Sequence, residues 1–249
     1  MATLLDCARI SEDVYSKKVN FTSDSWVEVG QPVINKSSGF YSRLYRNKKS
    51  AEFVIALRGT EVTDWGDIVA DLAIIKRKLS PQFIDAYHAY EAYKRTIKSN
   101  KFLITGHSLG GALAKYIAAR YGEKAIAFNA PGIKGMGAGL ASMHHKATIH
   151  NVNALLDPVS KFGDSFGTNE TWHVSSMPLI PDVLEPIIVG KAIADTAGLA
   201  SGLIGGAYMV SQHSISNLVV AIKDNVPDKL VMYKPKRTYM NSVLRTSIA

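Results

Sequence analysis

Cysteine is almost missing from the chain: Cys7 is the single one among 249 residues. No intramolecular disulfide can form, so a disulfide-stapled secreted scaffold is excluded, and so is a cysteine-ligated metal cluster. No secretory leader is expected either. The opening "MATLLDCARISEDVY" has no basic start followed by a continuous apolar stretch, and its Leu4, Ala8 and Val14 fall on one face of a helix. The chain is therefore expected in the cytoplasm of the producing cell, or exported by a route that uses no cleavable signal. No internal repeat and no long Pro-rich or Ser-rich linker divides it. With 47% hydrophobic residues it can bury one full core, and a single domain over 1–249 is expected.

Acidic residues are in short supply, 21 against 29 lysines and arginines, which gives a formal net charge of +8. The surplus is scattered in short groups, "RNKK" at 46–49, "KRK" at 76–78 and "KPKR" at 234–237. No recognisable nucleic-acid motif surrounds them, so they read as solvated surface and no nucleic-acid partner is expected. Peripheral contact with an anionic membrane surface is compatible with this charge. A long uninterrupted apolar run is also lacking. The nearest approach, "IIVGKAIADTAGLASGLIGGAYMV" at 187–210, contains Lys191, Asp195 and five glycines, each of which costs a helix up to about 1 kcal/mol relative to alanine. It does not read as a membrane span. The wider segment 178–210 reads as an apolar insertion, either a buried helix pair or a flap that meets lipid.

What the chain does have is an alternation of short apolar strands and amphipathic helices. "WVEVGQPVI" and "GFYSRLYRN" suggest an early strand pair, and "AEFVIALRG" a buried strand at 52–57. Between Pro81 and Lys98, apolar and aromatic residues recur at helical spacing. "KFLIT" is a strand, Leu109 to Tyr121 a helix that Gly122 stops, and "KAIAFNA" and "ATIHNV" are further strands; a last amphipathic helix starts near Ser214. Such alternation predicts an α/β fold with a mostly parallel central sheet and helices on both faces.

Within that pattern, "FLITGHSLGGALAKYIAARYG" places Ser108 between a buried strand and a helix. A serine hydroxyl attacks a carbonyl only if a base takes its proton and if it stands clear of its own backbone. A tight strand-to-helix turn meets the second need, with Gly106 and Gly110 where any side chain would collide across the turn. The helix that follows presents unpaired N–H groups, and the Leu109 main chain supplies one to a developing oxyanion.

"GHSLGG", the upstream "IALRGTEVTDW" and the downstream "NALLDPVS" together resemble the class 3 (fungal-type) lipase family of α/β-hydrolases. The resemblance is good from about residue 52 to 160 and looser at the N-terminal helix and the C-terminal histidine helix. It implies that Thr60, after the Arg-Gly pair, lies at the oxyanion hole beside the Leu109 N–H. It also implies that the segment after it, 61–75, is a lid.

For the acid, Asp157 follows a predicted strand, where α/β sites assemble, and fits the family's "DPV" pattern; Asp164, in the polar loop "FGDSFGTNE", is the alternative. For the base, His107 adjoins the nucleophile but its side chain on that turn points elsewhere. His144 and His145 sit in a polar loop with no HExxH pattern, and no metal is expected. His173 lies in what reads as a strand, "TWHVSS". His213 lies before the last helix, fits the chain order Ser, Asp, His, and is preferred, with His173 as runner-up. Arg58 reads as structural, with Asp64 or Asp71 as its expected partner. The reading is a serine carboxylic-ester hydrolase, a lipase that cleaves lipid acyl esters through an acyl-enzyme and needs no cofactor. A phospholipase A-type antibacterial effector, restrained by an immunity protein, is one alternative. A catalytically inactive lipid-binding or interaction module is another.

Overall fold

The computed structural model describes residues 2–16, 25–60, 80–97, 102–134, 143–155, 157–172, 210–211 and 213–225. Segment 61–75, all of segment 178–210 except Val210, and His173, Asp64 and Asp71 lie outside the described residues. Four strands at the centre of the chain are buried almost throughout: β4 (Phe53–Leu57), β5 (Phe102–His107), β6 (Lys124–Phe128) and β7 (Thr148–Ala154). Side chains that alternate faces yet are buried on both require helices on both sides of the sheet, and these strands are parallel to one another. β8 (Thr168–Trp172) continues the parallel run beside β7. On the other flank, β3 (Phe40–Asn47) is antiparallel to β4, and β1 (Trp26–Glu28) and β2 (Val33–Asn35) pair antiparallel with β3. The eight-stranded sheet has the order β1-β3-β4-β5-β6-β7-β8, with β2 beside β3.

Two elements differ from the sequence expectation. "WVEVGQPVI" is two strands, because Gly30 takes a left-handed φ of +76° and breaks the run before Pro32. The last strand among the described residues is "TNETW", which starts three residues before the expected "TWHVSS", inside the stretch read as a polar loop, and His173 to Ser176 lie outside the described residues. Its residues are only exposed or half-buried, so it lacks an apolar signature.

One face of the sheet carries α2 (Pro81–Thr96) and α3 (Leu109–Tyr121). Phe83, Tyr90, Leu113 and Ile117 pack there on Ile55, Leu57 and Ile104. Ser80 caps α2 with Pro81 in its first turn, and Lys94 and Arg95 in the last turn suit the negative helix end. The other face carries α1 (Leu4–Asp13) and α4 (Ile215–Asn225), whose Leu4, Ile10, Leu218 and Ile222 cover Val54, Ile126 and Val152. Each such aliphatic chain, taken fully out of water, stabilises the fold by about 1.5–3 kcal/mol. Thr3 opens α1 with a reciprocal capping box to Asp6.

The end of α1 is pinned by a buried arginine. Arg43 of β3 donates to the Asp13 carboxylate at 3.3 Å, to the Asp13 carbonyl at 2.9 Å and to the Ser16 carbonyl at 2.7 Å, and Tyr45 donates to the same carboxylate at 2.6 Å. The turn between Asp13 and Ser16 is thereby fixed against the sheet, and it carries Tyr15. Among the described residues, no helix is long and apolar enough to cross a membrane.

Candidate active site

Because β4 to β7 run parallel, the residues that follow each of them meet along one edge of the sheet. Arg58–Thr60 follow β4, Ser108 follows β5, Asn129 follows β6 and Asp157 follows β7.

Ser108 sits at the apex between β5 and α3 with φ +56° and ψ −128°. Non-glycine residues avoid that region, at a cost of about 1–3 kcal/mol, and strain of this kind persists where the surroundings over-determine it. The surroundings here are backbone. A Cβ on Gly106 would lie 2.5 Å from the Gly110 carbonyl, and one on Gly110 would lie 2.1 Å from the Leu57 carbonyl and 2.8 Å from the Gly59 nitrogen. The two glycines let the elbow close on itself and let the strand-β4 loop press against it, with Thr60 half-buried one residue beyond the contact. Ser108 is 8% exposed, and Leu109 opens α3 directly behind it.

His213 bridges the other two groups. Its Nδ1 lies 2.8 Å from Asp157 Oδ1 and its Nε2 2.9 Å from Ser108 Oγ. Asp157 is fully buried and also accepts the Ser160 N–H at 2.7 Å and the Val159 N–H at 3.3 Å, from the short turn at Val159–Lys161. A carboxylate held by two main-chain donors keeps its remaining acceptor capacity for the imidazole N–H, so the Nδ1–H tautomer is selected and the Nε2 lone pair faces the serine hydroxyl. This is the geometry a general base needs: within hydrogen-bond reach of the proton it removes. Asp164 lies elsewhere, its carbonyl accepting the Lys134 N–H at 2.9 Å.

Two contributors to the site, Tyr15 and Asn129, carried no sequence signal, and a third, His107, was expected to point elsewhere. His107 does not simply point away from the elbow: its ring packs on that of His213 at 4.6 Å between centroids, and its Nε2–H donates to the His213 carbonyl at 2.6 Å. Burial, reinforced by the neighbouring His213, pushes the His107 imidazole well below its ordinary range, so it is neutral. With its proton on Nε2, Nδ1 accepts from the Tyr15 hydroxyl at 3.1 Å. That hydroxyl in turn accepts the Gly59 N–H, also at 3.1 Å. Asn129, with a left-handed φ of +45°, donates from Nδ2 to the His213 carbonyl at 3.2 Å and accepts the Ala154 N–H at 2.7 Å.

Other candidates have other surroundings. Arg58 stacks its guanidinium over the Tyr41 ring at 4.7 Å. His144 Nδ1 accepts the Lys146 N–H, at the far end of the sheet. Cys7 is fully buried, and desolvation pushes its thiol well up, so it offers no rival nucleophile. Among the described residues, no group of three His, Cys, Asp or Glu side chains could hold a metal ion.

The chain has relatives. Residues 6–157 match the Tle-like phospholipase domain, a phospholipase-like family model. Extracellular phospholipase A1 of Serratia liquefaciens is 34% identical over 96 residues, which is 39% of this chain and 28% of that protein, so the likeness spans just over a quarter of the relative's length. Among solved structures, a triacylglycerol lipase from Penicillium expansum aligns with a TM-score of 0.50 at 17% identity, covering 68% of this chain and 77% of that one. That likeness concerns the fold, an α/β-hydrolase sheet flanked by helices.

Proposed function

The chain belongs to the Tle-like phospholipase domain family, and from that membership and the geometry around His213 we propose that it is a serine hydrolase that cleaves acyl esters of phospholipids through an acyl-enzyme. The observation that carries this reading is the imidazole held between a buried carboxylate at 2.8 Å and a strained serine hydroxyl at 2.9 Å.

In the proposed reaction, Ser108 Oγ attacks the ester carbonyl while His213 Nε2 takes its proton. Asp157 keeps the imidazole in the productive tautomer and stabilises the cation that forms. The carbonyl oxygen becomes an oxyanion, which the Leu109 N–H and Thr60 receive at the start of α3. Collapse of this intermediate breaks the bond to the alcohol oxygen, which leaves as the lysolipid with the proton from His213. Water then attacks the acyl-enzyme with the same base, releasing the fatty acid and restoring Ser108. No step requires a cofactor.

Two partners follow as part of the proposal. The substrate sits in a membrane, so the enzyme works from its surface, and a chain with eight excess positive charges is drawn to anionic headgroups. The second partner proposed is an inhibitory immunity protein that covers the site and restrains the enzyme in the cell that makes it.

The test is hydrolysis of phosphatidylglycerol, phosphatidylcholine and triacylglycerol side by side, by wild type and by Ser108→Ala, reading which acyl position is released. Phospholipid cleavage that disappears in the variant supports the proposal. Equal release by the two proteins contradicts it, and a preference for triacylglycerol replaces phospholipase with lipase. Vesicle binding without hydrolysis by wild type would favour the inactive lipid-binding module.

A further inference from the structure

The serine and the carboxylate each follow a sheet strand directly, but the histidine does not. His213 lies two residues before α4, and its ring can hold 2.8 and 2.9 Å contacts on both sides only if its own backbone is fixed. Its main-chain carbonyl accepts two side-chain hydrogen bonds, from His107 Nε2 at 2.6 Å and from Asn129 Nδ2 at 3.2 Å. Both donors stand at the sheet edge, at the end of β5 and just after β6.

Asn129 does more than donate. Its Oδ1 accepts the N–H of Ala154, the last residue of β7, whose carbonyl in turn accepts the Asp157 N–H at 3.2 Å. One fully buried amide therefore joins the turn that carries the acid to the backbone that carries the base. Only one orientation of that amide satisfies both partners, since a carbonyl needs a donor and an N–H needs an acceptor. The backbone is set for the same task. A φ of +45° is a conformation that glycine takes most readily, and asparagine is among the few other residues that tolerate it. The conformation aims the amide into the gap between β7 and His213, where glycine would leave two buried backbone groups without these partners.

We propose that Asn129, assisted by His107, is a positioning residue that holds His213 in register with both Asp157 and Ser108. The inference rests on the serine-hydrolase reading. It adds a structural requirement that the three triad side chains do not meet alone: the base is aligned through its main chain from the end of β6.

The experiment uses the full chain with Asn129→Gly, which keeps the left-handed backbone and removes only the amide, and Asn129→Asp at alkaline pH, where the ionised carboxylate keeps the acceptor toward Ala154 and has no proton to donate to His213. Three readouts are needed: the rate of fluorophosphonate reaction at Ser108 against pH, the kcat and KM for phosphatidylglycerol in mixed micelles, and the low-field proton resonance of the His213 Nδ1–H. In Asn129→Gly the melting temperature should fall by about 2–12 °C, because the Ala154 N–H loses its side-chain acceptor, with the protein still folded at 25 °C. KM should stay within about twofold while kcat and the labelling rate fall about 10- to 100-fold, as expected for reacting groups displaced by a fraction of an ångström to an ångström. The low-field resonance should broaden or vanish in both variants. A merely structural residue would lower the melting temperature and leave the resonance and the kcat of the folded fraction alone. Wild-type kcat, labelling rate and resonance in the Gly variant overturn the inference; should that variant fail to fold, the same wild-type values in Asn129→Asp do so. Wild-type protein whose Ser108 does not react with the probe overturns the hydrolase reading instead, and the resonance, which requires no turnover, still judges Asn129.

Discussion

The hydroxyl of Tyr15 accepts the main-chain N–H of Gly59 at 3.1 Å, across 44 residues of sequence. The same oxygen lies 3.1 Å from His107 Nδ1, so the loop that leads into Thr60 is connected through Tyr15 and His107 to the carbonyl of His213. The N-terminal helix thus reaches the edge of the sheet where the reaction is proposed to occur. Arg43 makes this reach dependable, because it clamps the carbonyls on either side of Tyr15, those of Asp13 and Ser16.

Tyr15→Phe should therefore weaken both ends of the link. The Gly59 N–H, in a buried residue, loses this acceptor, which costs about 1–3 kcal/mol, and the loop at Thr60 loosens. We expect a lower midpoint in urea and a kcat reduced about tenfold or more with KM little changed. Unchanged kcat in a folded variant would separate Tyr15 from the oxyanion loop.

Ser108→Gly should be inactive and more stable than wild type. At φ +56° and ψ −128° serine is strained while glycine is not, and relief of that strain amounts to about 1–3 kcal/mol. The loss of one hydroxyl contact to His213 offsets part of it, leaving a net gain of about 1 kcal/mol. Thermal unfolding of the two proteins measures this, and a glycine variant less stable than wild type would show that the elbow stores no strain.

Lys115 makes stability depend on pH. The side chain is fully buried on α3, where Nζ donates to the Ala130 carbonyl at 3.2 Å and to Ser165 Oγ at 3.3 Å, with no carboxylate among these partners. Desolvation pulls its pKa down to about 7. The unfolded chain, with an ordinary lysine near 10.5, then binds more protons than the folded one between pH 7 and 10.5. This group's contribution is fully present above pH 10.5 and is lost as pH falls through 7, a change on the order of a few kcal/mol. Urea unfolding at pH 6 to 10 should show wild type gaining on Lys115→Met as pH rises from 7. A constant difference between the two proteins would mean that the ammonium is not desolvated.

Much of this molecule can be read in its sequence where the signal is local. Strands β4 and β6 are apolar runs, and β5 opens with one, because both their faces are buried, and the elbow is legible because the close approach of Gly110 to Leu57 leaves room only for glycine. The start of β8 was not legible, since a half-buried strand of polar residues resembles a loop. The supports of His213 were hidden for a different reason. The contact from Asn129 spans 84 residues and that from His107 spans 106, and nothing in the neighbourhood of either residue announces it. Arg43 is buried in β3 because the Asp13 and Ser16 carbonyls arrive from the end of α1 to meet it, a pairing across about 30 residues that no local pattern announces.

The most direct measurement of the central claim is mass-spectrometric mapping of a fluorophosphonate adduct on the full chain, comparing wild type with Asp157→Asn. A serine nucleophile activated through His213 gives a single adduct on the peptide that contains Ser108, formed about 10⁴-fold more slowly when the carboxylate opposite His213 Nδ1 is replaced by an amide. An adduct on another residue, no adduct on wild type, or equal rates for the two proteins would contradict it.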